Sequence, residues 1–388
     1  MPRIHTLDFI RGLAILGILL LNIVAFGLPS AAYLNPAWQG NFPATSEALT
    51  WAAMDLFAQV KFLSLFALLF GASLQLLLPR GKRWLQSRLC WLMLIGLLHN
   101  LLFWDGDILL DYGLVGLVVW RMIRDVPTSR QLLNTGVMLY VVGTAVLIIL
   151  GMGTSPEPNS SWLPGIANVQ YETFWHTQGG WQAIQGRLDR FSSALMALAA
   201  QYGWQLAGLM MVGGALMRNG WLQGERSLSH YRRTALILIS LAWLIQLPAI
   251  YLQWQTGWAF RWAAFFLQVP RELAAPLQAV GYAALCYGFW PTLARLRLVH
   301  VISCVGRMAL SNYLLQTLIC TTLFDRFGLF NKLDRLQLLA LVPAVWAVNM
   351  LVSVLWLHHF RQGPLEALWR KLTQLTGGKP LEKSAAGE

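Results

Sequence analysis

The chain has 388 residues, of which 56% are hydrophobic and only 12% are charged, and its formal net charge is +12. Soluble domains carry about 25% charged residues, so this composition excludes an ordinary soluble globular protein. Apolar runs of roughly 18 residues or more recur along the whole chain, which is the pattern of a polytopic membrane protein. The basic excess needs no nucleic-acid partner, because membrane topology accounts for it.

Ten apolar segments are predicted to cross the membrane as helices. The segment at about 153–191 is too polar to cross and is predicted to be an outer loop, whereas the Trp-rich stretches 45–59 and 255–270 are predicted to be interfacial helices. The fold class is therefore all-α, with one polytopic membrane domain over 1–360 and a cytoplasmic tail over 361–388. The predicted spans are roughly 8–27, 60–78, 88–104, 107–123, 132–152, 193–217, 234–253, 272–290, 299–323 and 338–358.

Lysine and arginine residues predict the orientation of these spans. Most of the 29 basic residues lie near the chain ends and in alternate connections, such as "PRGKRWLQSR" and "RNGWLQGERSLSHYRR". Basic residues are retained on the cytoplasmic side of bacterial membrane proteins. Both termini are therefore predicted to be cytoplasmic.

The first apolar segment contains "LDFIRGLAILGILLLN" and carries Asp8, Arg11 and Asn22 on one helical face. A charge at the bilayer centre costs about 2.5–3.5 kcal/mol on insertion scales, so such side chains need a partner or a task. One interpretation is an Asp8–Arg11 topology anchor, with Asn22 joining helices. The other is a polar pathway in which Arg11 binds the phosphates of an entering substrate.

The stretch "GLLHNLLFWDGDILLDYGLVGL" carries a second group of polar residues. His99 lies within an apolar run, and Asp105 and Asp107 occupy the tight turn that follows. The next span runs back antiparallel, so one of these acids is expected beside His99. An imidazole oriented by a carboxylate is a general base or a proton carrier. The alternative, a solvated acidic turn, leaves a membrane-embedded histidine unexplained, and we predict His99, Asp105 and Asp107 as the catalytic group.

Polar side chains also follow one side of the ninth span, in "GRMALSNYLLQTLI", and occur in the outer "NPAWQG" loop. Such residues either pack membrane helices together or contact a substrate. With the polar residues of the first span, they form a predicted substrate-binding set: Arg11, Asn22, Asn35, Arg307, Asn312 and Gln316.

Other polar residues give weaker signals. Arg271 and Glu272 begin the eighth span and Lys61 is isolated, and all three are predicted to lie in the outer half of the membrane. The four cysteines lie in apolar runs and lack metal-ligand spacing, so they are predicted to be packing residues and no metal site is predicted.

Several stretches together, including "KFLSLFALLFGASLQ" and "CVGRMALSNYLLQTLI", resemble the YeiB family of bacterial inner-membrane proteins. The resemblance covers essentially the whole chain. More distantly the chain is similar to the transmembrane acyltransferase superfamily, which includes heparan-α-glucosaminide acetyltransferase and bacterial O-acetyltransferases. This resemblance implies an acyltransferase-like fold in the bacterial inner (plasma) membrane, acyl-CoA as donor substrate, no permanently bound cofactor, and a periplasmic or lipid-linked acceptor.

Two departures from the superfamily put the chemistry in question. Asn22 stands where the bacterial O-acetyltransferases have a histidine, and Asn35 stands where the heparan acetyltransferase has one. An asparagine side chain cannot act as a general base. Either His99 with Asp105 or Asp107 substitutes, or the scaffold has lost the reaction.

Three hypotheses from different classes remain open. An acyltransferase predicts basic residues for acyl-CoA phosphates and a His–Asp pair facing the acceptor. A transporter of a small polar solute or ion predicts that the same titratable groups line an alternately exposed pathway. An accessory protein predicts that they serve packing only. Membrane lipids are partners in every case, and the oligomeric state is left open.

Overall fold

The computed structural model describes residues 4–378, and every regular element within them is helical. The helices are α1 (His5–Gly27), α2 (Thr45–Phe57), α3 (Lys61–Leu77), α4 (Lys82–Leu102), α5 (Leu109–Asp125), α6 (Ser129–Gly153), α7 (Ile166–Gln178), α8 (Gly180–Ala197), α9 (Gly203–Arg218), α10 (Leu228–Gln255), α11 (Gln268–Gly288), α12 (Trp290–Leu293), α13 (Arg297–Arg307), α14 (Ala309–Thr321), α15 (Arg335–His359) and α16 (Pro364–Gly377). This confirms the all-α prediction.

Seven helical stretches of the described chain are long and apolar enough to cross a membrane. Two of them, Thr45–Arg80 and Gly180–Arg218, join consecutive helices across short breaks, and the bent pair α13–α14 makes an eighth candidate. Each of the ten predicted spans is largely helical, although 193–217 and 299–323 each include parts of two helices, and α5 and α11 are not among the seven. The count of ten therefore stays a prediction.

Helix α1 is the centre of the bundle. Its apolar stretch is 67% buried, against 28% to 44% for the other six candidates, because it packs against α3, α13, α14 and α15. In contrast, α6, α10 and α15 expose large apolar side chains such as Ile149, Leu244 and Leu355. Exposed apolar bands of this kind are what a lipid environment covers.

Close approach between α3 and α9 depends on glycine. A Cβ atom on Gly71 would overlap the Met210 carbonyl, and one on Gly213 would overlap the Leu68 carbonyl. Small residues at such crossings let membrane helices pack backbone to backbone. This contact fixes α3, which carries one wall of the site described below.

The segment after residue 360 packs against the bundle over much of its length. In α16, Trp369 Nε1 donates to the Arg88 carbonyl at 2.8 Å, and the Arg88 guanidinium lies 3.4 Å from the centre of the Trp369 ring. Residues 364–377 of the predicted tail therefore form a helix that packs against α4. The remaining part of the predicted tail, 379–388, lies outside the described residues.

The predicted outer loop at 153–191 is largely helical, since it contains α7 and the first part of α8. Helix α8 packs against α4, and α7 packs against α8 and the end of α14. These two helices close the end of the bundle opposite the one at which both ends of the described chain lie. We call these ends the distal face and the terminal face.

Candidate functional site: two cavities that meet at Ile108

A cavity of about 320 Å³ opens at the terminal face. Its polar lining includes Arg11, Arg88, Arg307 and Glu366, and its deeper walls are Leu and Phe side chains of α3, α4 and α5 with Tyr112 and Tyr313. We call it the terminal cavity. The combination of a basic mouth and an apolar interior fits an amphiphile with an anionic head.

The predicted Asp8–Arg11 ion pair forms at the mouth of this cavity. Arg11 Nη1 lies 3.4 Å from Asp8 Oδ1, and Nη2 lies 3.5 Å from Ser73 Oγ. The Arg11 side chain is 27% exposed and contributes to the lining of the cavity. Arg307 lies nearby and donates to the Arg361 carbonyl at 3.0 Å.

Arg88 is a cavity residue that sequence reasoning missed. Its charge lies in "PRGKRWLQSRLC", where the positive-inside rule already explained the basic residues. Glu366 is the carboxylate facing these arginines, and it accepts hydrogen bonds from Ser311 Oγ at 2.5 Å and from the Ser311 amide at 3.1 Å. Glu366 thus anchors α16 at the edge of the terminal cavity.

A second cavity of about 440 Å³ opens at the distal face. Asn22, Asp105, Glu172 and Arg190 are among its lining residues. Arg190 joins the two acids, with Nη1 3.1 Å from Asp105 Oδ2 and Nη2 2.7 Å from Glu172 Oε1. We call it the distal cavity. The ion-paired acids and the Asn22 amide make it suited to a polar ligand.

Ile108 lines both cavities and is the residue that their linings share. Its amide donates to the Tyr313 hydroxyl at 3.2 Å. The preceding Asp107 accepts from the Leu110 amide at 2.9 Å and so caps the start of α5. The Ile108 segment is therefore held on both sides, and we call it the Ile108 wall because it lines both the basic cavity and the polar cavity.

His99 contacts Asp107, not Asp105. Its Nδ1 lies 2.6 Å from Asp107 Oδ1, and its Nε2 lies 3.0 Å from Thr317 Oγ1. Of the two acids predicted to lie beside His99, Asp107 is the one that contacts it, whereas Asp105 pairs with Arg190 and lines the distal cavity. His99 is 3% exposed and lines neither cavity. In this arrangement it supports Asp107 and hence the Ile108 wall, and its role as a general base stays a prediction.

Three predicted substrate-binding residues form hydrogen bonds within the bundle. Asn35 is fully buried, donates to the Trp162 carbonyl at 3.0 Å and accepts from the Ala37 amide at 2.9 Å. Asn312 donates to the carbonyls of Val305 and Met308. Gln316 donates to the Ile15 carbonyl at 3.3 Å. None of the three lines the terminal or the distal cavity, and their role in substrate binding stays a prediction.

A buried charge network links α2, α3, α10 and α11. Lys61 Nζ donates to the Asp55 carbonyl at 2.6 Å and to Gln246 Oε1 at 2.7 Å. The Asp55 carboxylate accepts from Gln246 Nε2 at 2.9 Å and from Arg271 Nη1 at 3.1 Å. Arg271 also lies 3.8 Å from Glu272. Lys61, Arg271 and Glu272 are thus partners in one network, completed by Asp55 and Gln246, which sequence reasoning missed.

Metal ligands are not grouped in the described part of the chain. Over residues 4–378, no three His, Cys, Asp or Glu side chains come close enough together to hold a metal ion. All four cysteines are free, with Cys90 exposed and the others buried.

Comparison with known proteins shows which family the chain belongs to. Residues 216–376 match the family described as protein of unknown function DUF418. The chain is 61% identical to the uncharacterized protein YeiB of Escherichia coli over 99% of this chain and 100% of that protein. It is 30% identical to the uncharacterized protein YxaH of Bacillus subtilis over 96% of this chain and 95% of that protein. No solved structure matches the chain. The chain therefore belongs to the YeiB family of DUF418-containing proteins.

Proposed function

We propose that the protein transfers an acyl group from acyl-CoA in the terminal cavity to an acceptor in the distal cavity. The observation that carries this proposal is that a basic, apolar-walled cavity and a polar cavity open at opposite faces and meet at Ile108. An acyl group delivered past this wall needs to move only a short way to leave one cavity and enter the other.

The donor half of the proposal depends on Arg11, Arg88 and Arg307. Guanidinium groups bind phosphate oxygens through paired hydrogen bonds, and acyl-CoA carries several phosphates. The Leu and Phe walls beyond them suit the pantetheine arm and the acyl chain. The thioester would then lie near the Ile108 end of the cavity.

The acceptor half depends on Asn22 and Asp105, which line the distal cavity. An acceptor hydroxyl or amine attacks the thioester carbonyl carbon, the carbon–sulfur bond breaks, and the CoA thiolate takes up the proton that the acceptor loses. Asp105 is the member of the predicted catalytic group that faces this cavity, so it is placed to receive that proton first. His99 lines neither cavity, and both of its ring nitrogens are hydrogen-bonded. It would reach this proton only after the Ile108 segment moved.

The proposed membrane topology follows from the same arrangement. Acyl-CoA is cytoplasmic, so the terminal face, with both ends of the described chain, would face the cytoplasm in the inner membrane. The ten-span count and the lipid-linked or periplasmic acceptor belong to this proposal too. A C-terminal reporter found on the periplasmic side would contradict it.

The donor site is tested by calorimetric titration of acyl-CoA into the purified protein. We expect Arg11→Ala and Arg88→Ala each to weaken binding by about tenfold, because each removes a charge-assisted hydrogen bond. Arg121→Ala is the matched control, since it removes an exposed cation of α5 that does not line the cavity. Equal affinities for the wild-type protein and both cavity variants would refute the donor site.

A transporter of a small polar solute is the second candidate, and the strained backbone at Val60 favours it. Val60 lines the distal cavity, directly precedes Lys61 of the buried charge network, and has a φ of 65°. Positive φ is unfavourable for a β-branched residue, and such strain is concentrated at sites that bind or switch. The acyl-CoA titration separates the two candidates, because a transporter of small solutes gives no acyl-CoA binding.

A further inference from the structure

A third cavity, of about 270 Å³, lies at the distal face beside α7, α8 and the end of α14. His176, Arg187, Asp325 and Arg326 provide its charged and titratable lining. We call it the lateral cavity. None of its lining residues belongs to the terminal or the distal cavity, so it is a separate site.

His176 is fixed in orientation and has one ring nitrogen left for a ligand. Its ring is stacked between Trp175 and Phe330, with centroid distances of 3.9 and 4.0 Å. Nδ1 lies 2.9 Å from Asp325 Oδ1. The residue is only 5% exposed, and among residues 4–378 no group forms a hydrogen bond with Nε2. Because His176 lines the cavity and Nε2 has no partner in the described chain, this nitrogen is available to a ligand.

Two unusual backbone conformations position the charged side chains of this cavity. Thr322–Arg326 forms a π-helical turn at the end of α14, and this turn carries Asp325 and Arg326. Opposite it, Gly179 has a φ of 67°, and a Cβ atom there would lie 3.0 Å from Arg326 Nη1. Single π-helical turns of this kind occur frequently at functional sites.

The lining carries more positive than negative charge. Arg187 is buried and donates to the carbonyls of Leu101 and Leu102, so it is held in place at the end of α4. Arg326 is exposed. Two arginines against the Asp325 carboxylate give the lining a positive charge, which favours an anion.

The cavity also has an apolar side that reaches the surface of the bundle. Leu102, Phe103 and Leu318 line it and are 50%, 47% and 55% exposed. In a membrane these side chains meet the acyl chains of lipids. A ligand whose charged head lies among the arginines could therefore keep its tails against this apolar edge.

We propose that the lateral cavity binds the phosphate group of an amphiphile through Arg326 and His176, with Arg187 adding positive charge. Phosphate oxygens accept from guanidinium groups, and because Nδ1 donates to Asp325, the His176 Nε2 lone pair accepts from the hydroxyl of a singly protonated phosphate. The apolar edge favours a lipid phosphate over a soluble one. The site goes beyond acyl transfer and does not depend on it.

The test is calorimetric titration of short-chain phosphatidic acid into the full chain in neutral detergent, with short-chain phosphatidylcholine and inorganic phosphate as comparison ligands. We expect phosphatidic acid to bind at least about tenfold more tightly than phosphatidylcholine. Arg326→Ala and His176→Asn should each weaken phosphatidic acid binding by about tenfold. Lys332→Ala is the matched control, because it removes an exposed cation that is close in sequence but outside the cavity.

The outcomes separate the sources of the phosphate. Phosphatidic acid binding with weak inorganic phosphate binding supports a lipid ligand, and equal binding of the two supports a soluble phosphate at the same site. Equal affinity for phosphatidic acid and phosphatidylcholine would overturn the proposal. So would an Arg326→Ala variant that binds phosphatidic acid as tightly as the wild-type protein does.

Discussion

Replacing Asp55 by alanine is expected to destabilise the folded protein by about 3–5 kcal/mol, because it removes one partner from a buried ion pair. The Asp55 carboxylate accepts hydrogen bonds from Arg271 and Gln246, and Asp55 and Arg271 are each 2% exposed. Without it, Arg271 and Lys61 would be two buried cations with only Glu272 to balance them. Water cannot compensate, since neither cation reaches the surface.

This expectation is measured by thermal or denaturant unfolding of the purified protein in detergent. Asp55→Asn should lower the free energy of unfolding less than Asp55→Ala does, because the amide oxygen can still accept a hydrogen bond from Gln246. Asp125→Ala is the control, since Asp125 forms an exposed ion pair with Arg124 and its removal should leave the unfolding transition unchanged. Equal unfolding of Asp55→Ala and Asp125→Ala would show that the network does not stabilise the fold.

Replacing His99 by alanine is expected to abolish acyl transfer while leaving membrane insertion intact. His99 is the partner of a fully buried Asp107 carboxylate, and Asp107 caps α5 next to Ile108. The change leaves this carboxylate without its closest partner and loosens the wall between the terminal and distal cavities. The assay is release of CoA thiol in a single turnover with labelled acyl-CoA.

Two further variants distinguish the roles of this pair. Thr317→Val removes the partner of His99 Nε2 and leaves the contact with Asp107, so it should retain most activity if His99 acts by positioning. Acyl transfer that survived in His99→Ala but vanished in Asp107→Asn would show that Asp107 holds the Ile108 segment without help from His99. Wild-type turnover in His99→Ala would refute any role for His99.

The helices were predictable because long apolar runs identify them directly, but their breaks were not. The predicted span 299–323 is two helices, α13 and α14, bent by 89° at Met308. No proline marks the break. Instead the Asn312 amide donates to the carbonyls of Val305 and Met308, and Ser353 on α15 lies 2.8 Å from the same nitrogen. A break stabilised by a partner helix has no local sequence signal.

The site was predictable where partners are close in the chain. His99 and Asp107 are eight residues apart across a tight turn, so their contact could be expected. Lys61 and Gln246 are separated by 185 residues, and His176 and Asp325 by 149, and nothing local connects either pair. Long-range pairs of this kind depend on helix packing, which a single sequence does not encode in its motifs.

The roles of Asn35 and Arg88 depend on surroundings that the sequence does not show. Asn35 lies in a loop that resembles a catalytic motif, and its side chain donates to the Trp162 carbonyl and accepts from the Ala37 amide. Arg88 lies among basic residues that the positive-inside rule explains, yet it lines the terminal cavity. In both cases the residue type was informative, and its surroundings determined its role.

The most direct test of the central claim is a cryo-electron microscopy structure of the protein with a thioether analogue of acyl-CoA. The account predicts phosphate density beside Arg11 and Arg88 in the terminal cavity, with the acyl end of the analogue against Ile108. An analogue bound only in the distal cavity, or a terminal cavity without ligand at saturating concentration, would contradict it.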